Sequence, residues 1–386
     1  MEKQLSPQAL KKLLQSTDVA SLSDTQLQQL FTSEDGIKEY IPDGICQIDP
    51  RTGDRIVFNS SRARRPHDNQ PVDWQPAGGS SERNCVICEG NTTGVVDVAE
   101  LSQGFTFINK NLFPILYPEP ASKQGTSPEA GGRFPSSQCM PAYGYHFLQW
   151  TSSLHEVDWH NMPHSDRVVV MKRLAALEKK LISDSRNSTK SEKQALDNNV
   201  STGYVSIIKN FGRLVGGSLA HGHQQIAISN VVPRRVLDHE RFEMEHGELF
   251  SAYMQRGNPP TLLLRDYGPA ALLVPYFMRR PYDMFLLIKD ASKRYLYELD
   301  ESEIAAAAGG WRDAIRAILA VMPRIGKESA YNVITNSGPG TGLYFEFLPY
   351  TQETGGFEHL GLYLCQGNPE DSARQLRGMI QTYEAD

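Results

Sequence analysis

One order of local patterns occurs twice in this chain of 386 residues, and it constrains the fold more than any single motif. In the first half, His146-Phe-Leu-Gln-Trp150 has strand character. A helix is predicted over residues 165–182, where Val169, Val170, Leu174, Leu177 and Leu181 fall at helical spacing. The strand-like run Tyr204-Val-Ser-Ile-Ile208 follows, then a Gly-rich turn, then a last strand over 221–228. The second half repeats the order: Met284-Phe-Leu-Leu-Ile288, a helix over 302–322 with Ile304, Trp311, Ile315 and Leu319, the strand Tyr331-Asn-Val-Ile-Thr335, and Gly338-Pro-Gly-Thr-Gly342 turning into a strand over 343–349. Strand–helix–strand–turn–strand occurring twice predicts a duplicated α+β fold, with antiparallel sheet and flanking helices in each half. Residues 1–40 read as a helical extension, with Ser6 capping a short helix over Leu10, Leu13 and Leu14, and Ser23 capping a second over Leu27 and Leu30. The expected organisation is therefore 1–40, 41–230 and 231–386. Residues 118–138 and 184–200 read as surface loops.

Net charge is −6 and 22% of residues are charged, which gives no global basic field for nucleic acid. No apolar run reaches the roughly 18 residues a membrane span needs, and the N-terminus lacks the apolar core of a secretory signal. The expectation is a soluble cytoplasmic protein. Its five cysteines are too few and too scattered for a disulfide framework, so the close pair Cys85 and Cys88 reads better as half of a metal site.

The segment from Asn210 to Ile226 carries the most chemistry. On a strand with period two, His221, His223 and Gln225 share one face. Two imidazoles and an amide make a poor core stripe but a good reaction surface. An imidazole can attack phosphorus when its other nitrogen is held by a hydrogen bond. An amide beside it can donate to a phosphoryl oxygen, and the backbone N–H groups of Gly216, Gly217 and Ser218 can approach a phosphate closely. The bland alternative is a strand with two surface histidines. Cys85-Val-Ile-Cys88 lets two thiolates reach one tetrahedral zinc, with His155 and His221 as candidates for the remaining ligands. Two packed thiols or a redox pair are the alternatives. Arg62, Arg64 and Arg65 end a strand-like run in a basic turn suited to phosphate, or simply to solvent.

Taken together, these residues resemble the galactose-1-phosphate uridylyltransferase branch of the histidine-triad superfamily, over roughly residues 45–375 and in order. The resemblance implies that Arg62 and Arg65 lie beside the nucleotide phosphates, that Asn111 and Phe113 border the nucleotide, and that Cys85, Cys88, His155 and His221 bind one structural zinc. It maps Asn210, Gly216, Ser218, His221, His223 and Gln225 onto the catalytic segment, with His223 as the residue that becomes nucleotidylated. Glutamine at position 225 implies a transferase or phosphorylase, since histidine-triad hydrolases carry a third histidine there. A homodimer is also implied.

Three departures stand out. Gly222 replaces a proline between the two histidines. Asn336, Tyr344 and Glu346 stand where many family members hold a second metal, which implies that this site is lost. Tyr363 stands where a glutamate binds the hexose. The resulting expectation is a nucleotidylyltransferase that moves a nucleoside monophosphate, uridylyl foremost, from a nucleoside diphosphate sugar to a phosphorylated acceptor. The alternatives are a phosphorylase of a nucleotide sugar or dinucleoside polyphosphate, and a non-catalytic nucleotide sensor.

Overall fold

A computed structural model describes residues 6–11, 19–32, 41, 44–48, 55–58, 85–118, 139–191 and 203–382. Along the first half run helices α1 (Pro7–Lys11) and α2 (Asp24–Thr32), and strands β1 (Ile45–Ile48), β2 (Arg55–Phe58), β3 (Val95–Glu100), β4 (Phe105–Lys110), β5 (Cys139–Pro141) and β6 (Gly144–Trp150). Helix α3 (His164–Ser191) then leads to β7 (Tyr204–Phe211) and β8 (His223–Ser229). The second half contains α4 (Arg234–His246), α5 (Phe250–Gly257), β9 (Leu263–Asp266), β10 (Ala270–Leu273), β11 (Met284–Ile288) and α6 (Glu301–Arg324). It closes with β12 (Tyr331–Asn336), β13 (Tyr344–Pro349), α7 (Gly356–His359) and α8 (Pro369–Thr382).

Strands β1, β2 and β5 make a small three-stranded sheet, and the other ten form one sheet in the order β3-β4-β6-β8-β7-β12-β13-β11-β10-β9. Every pairing in it is antiparallel. The order is palindromic about the β7–β12 pair: β8 answers to β13, β6 to β11, β4 to β10 and β3 to β9. The expected duplication is thus a pseudo-two-fold. Ile208 faces Ile334 across its centre, Gln225 stands opposite Ile208, and Glu346 stands opposite Ile334. Symmetry therefore carries Gln225 onto Glu346 and, two residues earlier, His223 onto Tyr344.

Alternation along the strands divides the sheet into two faces. Ile207, Ile226, Val333, Phe345, Phe347 and Leu286 belong to the main hydrophobic cluster, which also takes in the buried sides of α3 and α6. Helix α6 begins at Asp300, whose carboxylate accepts from the Glu303 N–H while Glu303 reaches back to the Asp300 N–H. Trp311 on α6 packs against Trp159 of the first half at 4.6 Å between ring centroids, which locks the halves together. The opposite face presents Trp150, His223, Gln225, Glu346 and Tyr344.

Helix α3 runs to Ser191, further than its apolar stripe indicated. Residues 183–191 contain no Gly or Pro, and a helix already under way propagates through polar residues at little cost. The two N-terminal caps are present, with Ser6 Oγ accepting from the Ala9 N–H, and Ser23 and Gln26 forming a reciprocal pair. These helices pack into the main body. Leu27, Leu30 and Phe31 join the main cluster, Phe31 meets Phe147 edge-on at 5.3 Å, and the buried Lys110 ammonium donates to the Leu30 carbonyl. Replacing Phe31 by Ala should therefore cost the whole protein about 3–5 kcal/mol in urea unfolding, as one cooperative transition. A separate early transition confined to α2 would show that the N-terminal helices are an independent unit.

Candidate active site and metal cluster

His223 opens strand β8, opposite Trp150 of β6. The predicted strand starts two residues earlier, and this difference matters. His221 precedes the ladder, so its ring leaves the face shared by His223 and Gln225 and turns to Cys85 and Cys88. His223 is 5% exposed, and its ring lies 5.0 Å from that of Trp150. Its Nδ1 is 2.8 Å from the carbonyl oxygen of His221. A carbonyl accepts only, so Nδ1 carries the proton and Nε2 keeps its lone pair. Burial pushes the imidazole down to about 4, although the bond to the His221 carbonyl works in the opposite direction. The ring is neutral at physiological pH, as a nucleophile must be.

Gln225 is oriented by a residue that sequence reading missed. The Ile115 N–H donates to Nδ1 of the buried His146, at 3.1 Å. The proton of His146 is then on Nε2, which donates to Gln225 Oε1 at 3.1 Å. This bond fixes the amide and leaves its two N–H donors for a ligand. Asn111, Phe113, Ser218, His223 and Gln225 all line one pocket of about 90 Å³, the scale of a phosphoryl group rather than of a whole nucleotide. Five of the expected site residues are thus gathered in one place.

Asn210 lies further along the same face, where its Oδ1 accepts from Asn332 Nδ2 at 2.7 Å. Gly216 has φ of +85°, a conformation that favours glycine, and its N–H donates to the Arg213 carbonyl. The Gly217 N–H donates to the Gly212 carbonyl at 3.0 Å. These two amides bond within the turn itself. Arg62 and Arg65 lie outside the described residues.

Cys85, Cys88, His155 and His221 come together from three separate segments, with their candidate ligand atoms all within 4.8 Å of one another. His221 Nδ1 lies 3.6 Å from Cys85 Sγ and 3.5 Å from Cys88 Sγ, and His155 Nδ1 lies 3.6 Å from Cys88 Sγ. Tetrahedral zinc with ordinary bond lengths would set sulfur and nitrogen about 3.6 Å apart. The donor set and its spacing fit a metal. His221 Nε2–H donates to the Ser152 carbonyl at 2.8 Å, which leaves Nδ1 as the ligand atom.

Behind His223, on the helix-covered face, Asp158 and Lys209 form a buried ion pair at 2.7 Å. Lys209 Nζ also donates to the His223 carbonyl at 3.3 Å. Burial alone would raise the Asp158 carboxyl, but the Lys209 ammonium outweighs it and holds the group below its usual range.

No family model matches the chain. A relative, ADP-glucose phosphorylase of Arabidopsis thaliana, is 23% identical over 355 residues, which span 86% of this chain and 92% of that protein. A solved uridylyltransferase superposes with a TM-score of 0.61 at 20% identity, over 88% of this chain and 99% of the other. An ADP-glucose phosphorylase from Arabidopsis thaliana, solved with bound ADP-glucose, gives 0.56 at 17% identity, over 86% and 98%. This chain has the uridylyltransferase fold. The resemblance to the galactose-1-phosphate uridylyltransferase-like branch of the histidine-triad superfamily thus holds in sequence and in architecture.

Within that fold the two halves have diverged. At the position of His223 the second half has Tyr344, and at the position of Gln225 it has Glu346. Glu346 is paired with Arg235 at 2.8 Å, and the Tyr344 hydroxyl bonds to both Glu346 and His239. A cavity of about 450 Å³ opens beside them, and Arg279, Arg280 and Tyr363 are among its lining residues. The Arg279 guanidinium lies 4.5 Å above the Tyr363 ring.

Gly222, between the two histidines, lies against the buried pair. A Cβ there would stand 2.7 Å from Asp158 Cγ. Gly222→Ala should push Asp158 away from Lys209 and destabilise the protein by roughly 3–5 kcal/mol, the usual cost of breaking a buried pair. Chemical denaturation with wild-type stability would show that Asp158 moves aside freely.

Proposed function

We propose that this chain transfers a nucleoside monophosphate from a nucleoside diphosphate sugar to a phosphorylated acceptor, through a covalent intermediate on His223. The observation that carries the reading is the fixed tautomer of His223 beside the fixed amide of Gln225. His223 Nε2 attacks the α-phosphorus, the bond to the bridging oxygen breaks, and sugar 1-phosphate departs. A phosphate oxygen of the acceptor then attacks the same phosphorus, and the P–N bond breaks. The Gln225 N–H donors and Ser218 hold the non-bridging oxygens as charge shifts onto them. Asn111 and Phe113 border the nucleotide. Arg62 and Arg65 neutralise the leaving phosphate, and residues 231–386 supply the acceptor side.

A metal at Cys85, Cys88, His155 and His221 contributes structure rather than chemistry, because the cluster has four protein ligands and no open position. We assign it as one zinc per chain. A cytoplasmic homodimer completes the reading. Among the described residues, no helix is long and apolar enough to cross a membrane.

Inorganic phosphate as acceptor is the second reading. It is favoured by the Tyr363 ring lying under Arg279, where family members place a hexose-binding carboxylate, and by the relative named ADP-glucose phosphorylase. That name also brings an adenine donor level with the uridine donor expected from the sequence.

Wild-type protein given labelled UDP-glucose or ADP-glucose should acquire label on His223, and His223→Ala should acquire none. Label on His223→Ala at more than a few per cent of the wild-type level would exclude His223 as nucleophile. Discharge of the labelled protein by galactose 1-phosphate, glucose 1-phosphate or inorganic phosphate then identifies the acceptor. We expect galactose 1-phosphate to be slower than the best of the three by about a hundredfold. Elemental analysis should find one zinc per chain, lost in the double variant Cys85→Ser, Cys88→Ser together with much of the folding stability, on the order of 10 kcal/mol. Zinc retained at full occupancy in that variant would overturn the assignment.

A further inference from the structure

On the helix-covered side of the sheet, where α3 begins and crosses α6, lies a cleft of about 610 Å³ that the reaction above does not use. Its polar lining consists of Asn161, His160, His164, Arg167, Arg312 and Arg316, and among the described residues no carboxylate lines it. Three guanidinium groups and two imidazoles thus gather around one cavity, which favours an anionic occupant.

The carboxylates within reach are already engaged. Asp313 takes Arg312 and Arg265 and also accepts from the Tyr267 hydroxyl. Asp166 accepts from the backbone N–H and the hydroxyl of Ser102. Asp158 is paired with Lys209. Arg167 is 3% exposed and donates from one Nη to the Met162 carbonyl, while its Nε has no partner. His160 Nδ1 is also buried without a partner.

The crowding leaves its mark on the ionisation of the lining. Burial first, then Arg312 and Arg316, bring Arg167 down to about 10 against the opposing pull of Asp313 and Asp166. His164 is lowered by burial and then by Arg167 and Arg312. His160 is lowered by burial, with Lys209 and Arg316 adding to the effect and Asp158 opposing it. The amino end of the long helix α3 adds its positive dipole at the rim.

We propose that this cleft binds a phosphate-bearing anion, at a site distinct from the catalytic pocket and mechanically joined to it. Planar guanidinium forks match phosphate oxygens two at a time, and Arg167, Arg312 and Arg316 line one cavity together. The join to the catalytic strand runs through three consecutive residues. His160 lines the cleft. Trp159 Nε1 donates to Gln224 Oε1 of β8 at 3.0 Å. Asp158 holds Lys209, which donates to the His223 carbonyl. An anion that draws His160 and Arg167 together therefore acts on the segment that supports His223 from behind.

The test uses the full-length, metal-loaded protein. Inorganic phosphate, pyrophosphate and glucose 1-phosphate are titrated calorimetrically into wild type and into the double variant Arg316→Gln, His164→Gln, neither residue being part of the catalytic machinery. Wild type should show a class of sites that the double variant weakens by about tenfold or more, as expected when bidentate contacts are lost. Label uptake on His223 without added anion should be equal in the two proteins. A site that takes inorganic phosphate and pyrophosphate but not the ester identifies the free anion as ligand, and the reverse identifies a phosphate monoester. If the double variant fails to fold, Arg316→Lys keeps the charge, removes the fork, and should weaken the same class of sites. Unchanged stoichiometry and affinity for all three anions in a folded variant would overturn the proposal.

Discussion

One residue joins the two halves of the candidate site's construction. The backbone carbonyl of His221 holds the Nδ1 proton of His223, and the side chain of His221 closes the cluster of Cys85, Cys88 and His155. A nucleophilic imidazole needs its tautomer and its ring plane fixed, and a flexible loop ahead of β8 would fix neither. Anchoring the His221 ring between two thiols and the Ser152 carbonyl immobilises its peptide, and the peptide in turn immobilises His223. The cluster of Cys85, Cys88, His155 and His221 is thereby joined through one residue to the carbonyl that holds His223.

The pseudo-two-fold sets the two halves of the open face against each other residue by residue. The sheet register places His223 and Tyr344, and likewise Gln225 and Glu346, at equivalent points on the same open face. In the first half the amide is held through its oxygen by His146, so donors remain for a developing negative charge. In the second half the equivalent carboxylate is engaged by Arg235 and the Tyr344 hydroxyl, so the position equivalent to Gln225 offers no N–H donor. Equivalent backbone positions thus carry different groups, and their roles are decided by which atom of a side chain the neighbouring residue claims.

Much of this was legible in the sequence because the carriers are local. The helical stripes of α3 and α6, the strands at 204–208 and 284–288, and the spacing of Cys85, Cys88, His155 and His221 all follow from short-range periodicity or ligand chemistry. What escaped was non-local. Short strands such as β9 at the sheet edge and β10 beside it carry too few residues to show a period. His146 looks like one more strand residue until β6 is laid beside β8 and its ring meets Gln225. Lys209 and Asp158 are fifty-one positions apart, with no local pattern to link them, yet both are buried, because each has the other. Nothing in sequence reveals that the turn's own carbonyls accept the Gly216 and Gly217 amides.

The glycine at position 222 shows how these constraints meet. An ion pair buried behind a catalytic strand is a poor source of stability, since desolvation offsets most of the attraction. Its value lies in geometry: Lys209 gives a fixed cation to the His223 carbonyl, and Asp158 keeps that cation neutralised. To reach Lys209, the Asp158 carboxylate must pass directly under the peptide between the two histidines, where any Cβ would come within 2.7 Å of it. A proline ring at this point would have no room. This chain braces the peptide between the two histidines from behind with a charge pair, and the segment that provides it, residues 158–160, reaches the cationic cleft through His160.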